Sequence, residues 1–407
     1  MTPTTKSDPR YSFPNGGLLP REEMLEVGKK PTNLSIGMPM EDQHQESRVS
    51  LTPEAVEILV NNGHEVRIEN NAGKASNYTN SDYSEKGASI VTKKEDVFSS
   101  DIILKIAPPN LHEIKMLTAQ QILFSSLHLQ SQNKEFMQEL ISRKITAIAF
   151  EKIKDENNSY PVTSSMSAIA GNTAVLIAAE YLSNLRGGKG VMLGGITGIT
   201  PTEVVILGAG TAAEYAVRAA MGLGAFVKVF DQSVPRLRRL QNNVGVRLHT
   251  SVFHPRVIKN ALKSADVLIG AIHMIEKGPR YYVTEDMVKV MKKGSVIVDL
   301  SIDQGGCVET SECRNQHDPT FIKHGVVHYC VPNIPSSVAR TASIAISNVL
   351  LPLLLEMAEA GGLNKKLKED KGLRHGVYVY NGILTNEFIG KLFDLPSKDI
   401  DLFMAAF

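Results

Sequence analysis

The sequence predicts an α/β fold in which one parallel-sheet domain is inserted into another and long helices join the two. Three observations predict it. Short apolar runs alternate with helical patterns over most of the chain, a strand–turn–helix–strand unit closed by an acid lies at 204–231, and two long apolar helical stretches flank the second half of the alternation. At roughly 150 residues per domain, the 407 residues suggest two or three domains, and 43% hydrophobic with 21% charged residues is an ordinary globular composition.

Residues 1–33 are polar and proline-containing and read as an N-terminal arm. A strand follows at 33–37, then a polar loop to residue 50. Thr52-Pro53 supplies an N-cap and a first helical residue, and Gly63 closes that helix. Strands are expected at His64–Ile68, Asp101–Ile106 and Gln121–Ser125, a long helix at Ala168–Leu185, and a glycine-rich spacer at 187–201. The second unit carries strands at Glu203–Leu207, Phe226–Phe230, Val267–Ile269 and Ser295–Leu300. A helix at Thr341–Ala360 returns the chain, and about the last 45 residues read as helical and charged. The division is 1–161 with 340–407, and 162–339.

Charge excludes several classes of partner. Lys and Arg number 44 against 43 Asp and Glu, a net +1 that gives no footprint for nucleic acid or an anionic membrane. The most apolar run, Val349–Leu355, is interrupted by Pro352 and falls short of the ~20 residues a bilayer span needs. The N-terminus has no apolar core of a signal peptide, and the three cysteines, Cys307, Cys313 and Cys330, have neither disulfide-framework nor zinc spacing. A cytoplasmic protein without metal, acting on small molecules or copies of itself, is expected.

The sharpest motif is VVILGAGTAAEYAVRAAMGLGAFVKVFD. Gly208 permits a tight strand-to-helix turn, Gly210 lets the backbone approach a pyrophosphate, and Ala213 keeps the helix against its strand. Phosphates would sit at the helix N-terminus. Asp231 would take the ribose hydroxyls and repel a 2′-phosphate, which points to NAD, although Arg236 is near enough in sequence to reach a phosphate. The alternative is a glycine-rich turn in an unrelated sheet.

Other candidates stand on weaker ground. Asp303 follows the apolar run 296–300 and precedes Gly305-Gly306, where it is either an acid/base group or an Asx turn. Asp299, earlier in that run, suits local backbone bonding. His128, just past QILFS, titrates near neutrality or is a satisfied core residue. Arg48 in ESRVS is a carboxylate fork or a solvated loop arginine. Lys105 interrupts an apolar strand, where a charge needs a partner or a ligand.

Together these residues resemble the alanine dehydrogenase and transhydrogenase α-subunit family. The resemblance runs from 34 to about 400 and is carried by IGMPMEDQHQESRVSLTPEAV, GHEVRIENNAG, ILKIAPP, QILFSSLHL, the 204–231 unit, SVIVDLSIDQGGCVETS and DPTFIKHGVVHYCVPNIPSSVARTAS. It implies two Rossmann-like domains and NAD-dependent oxidation of L-alanine to pyruvate and ammonium. It also implies a homo-oligomer, commonly a hexamer or dimer. By resemblance, Arg48 holds the substrate carboxylate and His128 and Asp303 are catalytic. Ser167, Thr211, Ala212, Asp231, Ile272, His273, Leu300, Ser301, Ile302, Pro332, Asn333, Ile334 and Pro335 contact the cofactor.

Two positions depart from the family pattern. Where the family usually reads Leu-Lys-Val-Lys-Glu-Pro, this chain has Leu104-Lys105-Ile106-Ala107-Pro108-Pro109, so the substrate-contacting second lysine is Ala107. Lys105 shares its strand parity, ~6–7 Å further back, and is the candidate to deputise for it. Ala168 replaces a glutamate typical of alanine dehydrogenases, as in transhydrogenase subunits. The alternative function is therefore a soluble nucleotide-binding transhydrogenase component, or a dehydrogenase of another small 2-amino acid. His128 and the Asp303–Cys307 segment, which transhydrogenase subunits generally lack, favour the dehydrogenase.

Overall fold

The computed structural model describes residues 31–42, 46–127, 132–273 and 280–406. Among these the strands form two sheets. The first, of eight strands, runs in spatial order Ile383–Leu384, Val377–Tyr380, Thr146–Ala149, Ile122–Ser125, Ile102–Leu104, Ser35–Met38, Glu65–Glu69, Ser89–Val91. The second, of seven, runs Thr320–Lys323, Val326–Tyr329, Val296–Asp299, Val267–Gly270, Glu203–Leu207, Phe226–Phe230, His249–Ser251.

Both sheets obey one winding rule. The first strand of each lies in the middle, the next two extend to one side, and the later parallel strands extend to the other. The order reverses between Ser35–Met38 and Ile102–Leu104 in the first sheet, and between Glu203–Leu207 and Val267–Gly270 in the second. A doubly wound sheet leaves a crevice at the carboxyl ends of its strands at such a point. The central strands are buried on both faces, which is why they read as continuous apolar runs such as Val204–Leu207 and Val267–Ile269.

The N-terminal helix signals hold: Thr52 accepts the Ala55 N–H and Pro53 opens a helix that ends at Asn61. The first long helix starts earlier than the sequence suggested, at Pro161, and runs to Tyr181, with proline tolerated in the first turn. Its early residues Val162 and Met166 pack with the core of the first sheet, and Ala174, Val175, Ala178 and Leu182 with that of the second. The second long helix, Ala339–Ala360, continues through Pro352 and packs Ile346, Leu350, Leu354 and Met357 on the first sheet. The first long helix thus spans both cores, whereas the second lies against the core of the first sheet. By length and apolarity, Pro161–Tyr181 and the run 334–360 could also cross a bilayer, a longer apolar stretch than the interruption at Pro352 suggested.

The chain's end corrects the expectation of an all-helical tail. Val377–Tyr380 and Ile383–Leu384 form an antiparallel hairpin that extends the first sheet alongside Thr146–Ala149. Its two-residue turn, Asn381-Gly382, takes positive φ at both positions (47° and 79°), the conformation such loops require.

Candidate active site

The nucleotide turn is built by close backbone contact. Gly208 has φ +105°, and a Cβ there would lie 2.3 Å from the Ala271 carbonyl oxygen, so only glycine fits between the two strand ends. Gly210 caps the helix Thr211–Gly222 without a side-chain hydrogen bond, and the space that its Cβ would enter is open. The helix that follows presents its positive end here, the kind of site that favours an anionic phosphate group. Ala213 is fully buried. Ala212 lies where the first long helix crosses, at Gly171, whose Cβ would come 2.1 Å from the Ala212 carbonyl oxygen.

Asp231 ends the neighbouring strand and is buried. One carboxylate oxygen accepts the Ala209 N–H at 2.7 Å and the other the Ser233 N–H at 2.7 Å, which fixes the glycine turn to the strand. Each oxygen keeps a further lone pair for a hydroxyl. Arg239, which the sequence did not single out, reaches the Ala209 carbonyl at 3.2 Å, whereas Arg236 is exposed one turn earlier on the same helix.

At the end of the adjacent strands, Ser301 donates to the Ile272 carbonyl at 2.7 Å and its Oγ accepts the Ile272 N–H at 3.2 Å, tying Val267–Gly270 to Val296–Asp299. Ile272 and Leu300 are half-buried here, Ile302 is buried and His273 exposed. Asp299 does bond the local backbone. Its carboxylate accepts the Ser301 and Cys307 N–H groups, both at 3.0 Å, and the Ser311 hydroxyl at 2.7 Å. Burial pushes its carboxyl above the usual range against the pull of these donors. The loop so anchored presents Asp303, exposed in a short 3-10 turn, with its carboxyl also raised by the protein packed around it.

Arg48 is buried in the loop between Met38 and Pro53. Its guanidinium is held by a residue the sequence reading missed, Glu46: Nε donates to Oε1 at 2.7 Å and Nη2 to Oε2 at 2.6 Å. Nη1 lies 3.3 Å from the Met166 sulfur on the first long helix, one residue from Ser167. Glu46 also accepts from Asn333 Nδ2 at 3.0 Å and from the Ser336 hydroxyl at 3.1 Å. Burial alone would raise its carboxyl, but Arg48 and Asn333 outweigh burial and lower it. Asn333 sits in the left-handed region (φ 56°), between Pro332 and the buried Ile334 and Pro335. Serines of the second long helix extend this contact, with the Val49 N–H donating to Ser343 and the Thr52 N–H to Ser347. The spacing of the serines, with Glu46 two residues before Arg48, was the sequence signal available.

Lys105 does not stand free for a substrate, as its strand parity had suggested. The strand ends at Leu104, and the Lys105 ammonium pairs with Glu41 at 2.5 Å and approaches Glu113 at 3.8 Å, all three residues being buried. Ala107 is half-buried, its carbonyl accepting the Ser125 hydroxyl. His128 lies outside the described residues. Among the described residues no cluster of three His, Cys, Asp or Glu is arranged to hold a metal.

Comparison with known proteins finds similarity along most of the chain. Residues 37–170 match the model of the alanine dehydrogenase/PNT N-terminal domain, and 174–387 that of the C-terminal domain. Alanine dehydrogenase 2 of Staphylococcus aureus (strain USA300) is 40% identical over 370 residues, 90% of this chain and 99% of that protein. A solved L-alanine dehydrogenase superposes with a TM-score of 0.82 at 38% identity, covering 88% of this chain and 99% of the other. A transhydrogenase from Sinorhizobium meliloti, at 23% identity and a TM-score of 0.72 over 86% of this chain and 99% of its own, shares the fold. Two matched domains and these relatives place the chain in the alanine dehydrogenase/PNT family.

Proposed function

We propose that the chain is an NAD-dependent L-alanine dehydrogenase that converts L-alanine reversibly to pyruvate and ammonium. The observation that carries this reading is the Arg48–Glu46–Asn333 contact, which sets a carboxylate-binding guanidinium beside the segment that follows the last strand of the nucleotide-type sheet. In this reading residues 1–161 with 340–407 serve the substrate and 162–339 the cofactor, with hinges near 161 and 340.

The helix N-terminus after Gly210, where a Cβ would meet open space, suits the pyrophosphate of NAD, and Asp231 its ribose hydroxyls. Bound NAD supplies a hydride acceptor for the substrate Cα–H. With Nε and Nη2 bonded to Glu46, Arg48 offers the substrate carboxylate its outer Nη1/Nη2 edge. Once the substrate ammonium has given a proton to solvent, loss of hydride leaves an iminium, and water adds to its carbon. His128 takes a proton from that water and shuttles it as the carbinolamine collapses to pyruvate and ammonium. Asp303 orients the amine or the water and balances the iminium charge.

Steady-state assay of the purified protein with NADH, ammonium and a panel of 2-oxo acids tests the reading. Turnover with pyruvate is expected, and His128→Ala should lower it by ~10²-fold. Absence of turnover with every 2-oxo acid would favour a transhydrogenase-like component, the reading Ala168 supports. Asp231→Ala should weaken NAD binding and its preference over NADP; an unchanged preference would remove Asp231 from the cofactor site.

A further inference from the structure

Glu46 has more partners than an anchor for one arginine needs. Its side chain is 3% exposed and accepts from the Arg48 N–H (3.0 Å), Arg48 Nε (2.7 Å), Arg48 Nη2 (2.6 Å), Asn333 Nδ2 (3.0 Å) and the Ser336 hydroxyl (3.1 Å). Three of these donors belong to the residue offered to the substrate. The other two belong to the segment that closes the second sheet, and the Ser47 N–H donates to the same Ser336 hydroxyl at 2.9 Å. The carboxylate's lone pairs are thus divided between the two halves of the molecule.

This arrangement constrains both sides. A guanidinium held by its Nε/Nη2 edge cannot swing to another carboxylate without withdrawing its counter-charge from the buried Glu46, which is unfavourable for a buried ionic contact. Asn333, held in a left-handed conformation that few residues adopt, cannot shift without withdrawing Nδ2 from the same carboxylate. The orientation of Arg48 and the position of residues 333–336 are therefore set by one group.

We propose that Glu46 is a positioning residue that links the two ligand sites: through it, a small 2-oxo carboxylate on Arg48 and a dinucleotide beside Asn333 each strengthen the binding of the other. The inference rests on the assignment of Arg48 to the substrate and of the Asn333 segment to the cofactor. Linkage is reciprocal, so it is read from either ligand.

The test is titration of the full chain with NADH, followed by nucleotide fluorescence, with and without pyruvate and in the absence of ammonium so that no turnover occurs. The wild type should bind NADH about 5-fold or more tightly when pyruvate is present, the lower range of ordinary coupling. Glu46→Gln, which keeps the volume and removes the charge, should bring that ratio close to one and raise the KM for pyruvate more than that for NADH. Asn333→Gly accommodates the left-handed backbone and leaves the Arg48 pair in place. It should reduce the ratio with a smaller change in the pyruvate KM, and it serves if Glu46→Gln fails to fold. A residue that only stabilised the fold would lower the melting temperature and leave the ratio unchanged. A wild-type ratio near one, or the wild-type ratio retained in both variants, overturns the proposal. Turnover assayed alongside separates the two levels of inference: an active enzyme with unlinked ligands sinks the linkage alone, whereas an inactive chain sinks the functional reading and the linkage with it.

Discussion

The Lys105 ammonium meets the Glu41 carboxylate inside the protein at 2.5 Å, while the second Glu41 oxygen takes the Ile106 N–H, also at 2.5 Å. Burial raises the Glu41 carboxyl and the lysine opposes that shift. Lys105→Met removes the charge that both Glu41 and Glu113 face and should destabilise the protein by about 3–5 kcal/mol in urea unfolding. The double variant Lys105→Met/Glu41→Gln should recover much of that loss. A single variant of normal stability and weakened substrate binding would return Lys105 to the substrate site.

Gly171 and Gly210 should separate packing from binding. Gly171→Ala drives a methyl group against the Ala212 carbonyl and should cost about 1–3 kcal/mol, the usual scale of overpacking. Gly210→Ala meets only open space in the protein, so its melting temperature should stay near the wild type while NAD affinity falls. Equal loss of stability in both variants would show that the space before Gly210 is not kept for a ligand.

His328 should make the protein acid-sensitive. Its ring is fully buried, bonded to the Thr310 hydroxyl at 2.7 Å and to the Val326 carbonyl at 2.9 Å, and burial pushes its pKa down from 6.5 to about 4. The unfolded chain binds the proton first, so stability present above pH 6.5 is lost as pH falls from 6.5 toward 4. A shift of that size amounts to about 3 kcal/mol at most. Urea midpoints measured across that window should decline in the wild type and decline less in His328→Gln once its lower starting stability is subtracted.

Ala107→Lys restores the residue usual in the family. If the side chain at 107 faces the substrate carboxylate, the KM for L-alanine should fall by about 10-fold, the value of one hydrogen bond to a charged group. An unchanged KM would place the substrate elsewhere along that loop.

Much of the fold was legible because both sheets write their strands as apolar runs and mark turns with glycine or proline. Val204–Leu207 followed by Gly208 and Gly210 needs no partner elsewhere to be recognised. The terminal hairpin was not read: its strands, Val377–Tyr380 and Ile383–Leu384, are short and lie between helices in a charged tail. The site was harder to read where it depends on pairing at a distance. Glu41 and Lys105 are 64 residues apart, and Glu46 and Asn333 are 287 apart. A carboxylate that meets its partners only after two sheets have formed leaves no periodicity in the chain. Lys105 could be seen to need a partner but not to have found one.

The first sheet draws its strands from both ends of the chain, whereas those of the second lie between Glu203 and Tyr329. During synthesis the second sheet has all its strands while Thr146–Ala149 still lacks the neighbour it will gain from Val377–Tyr380. Until residue 380 has left the ribosome, that strand presents a row of unpaired N–H and C=O groups to any chain nearby. Placing one sheet between the two ends of the other thereby leaves an edge open to aggregation while the protein is made, and a chain truncated before the hairpin would keep that edge open for good.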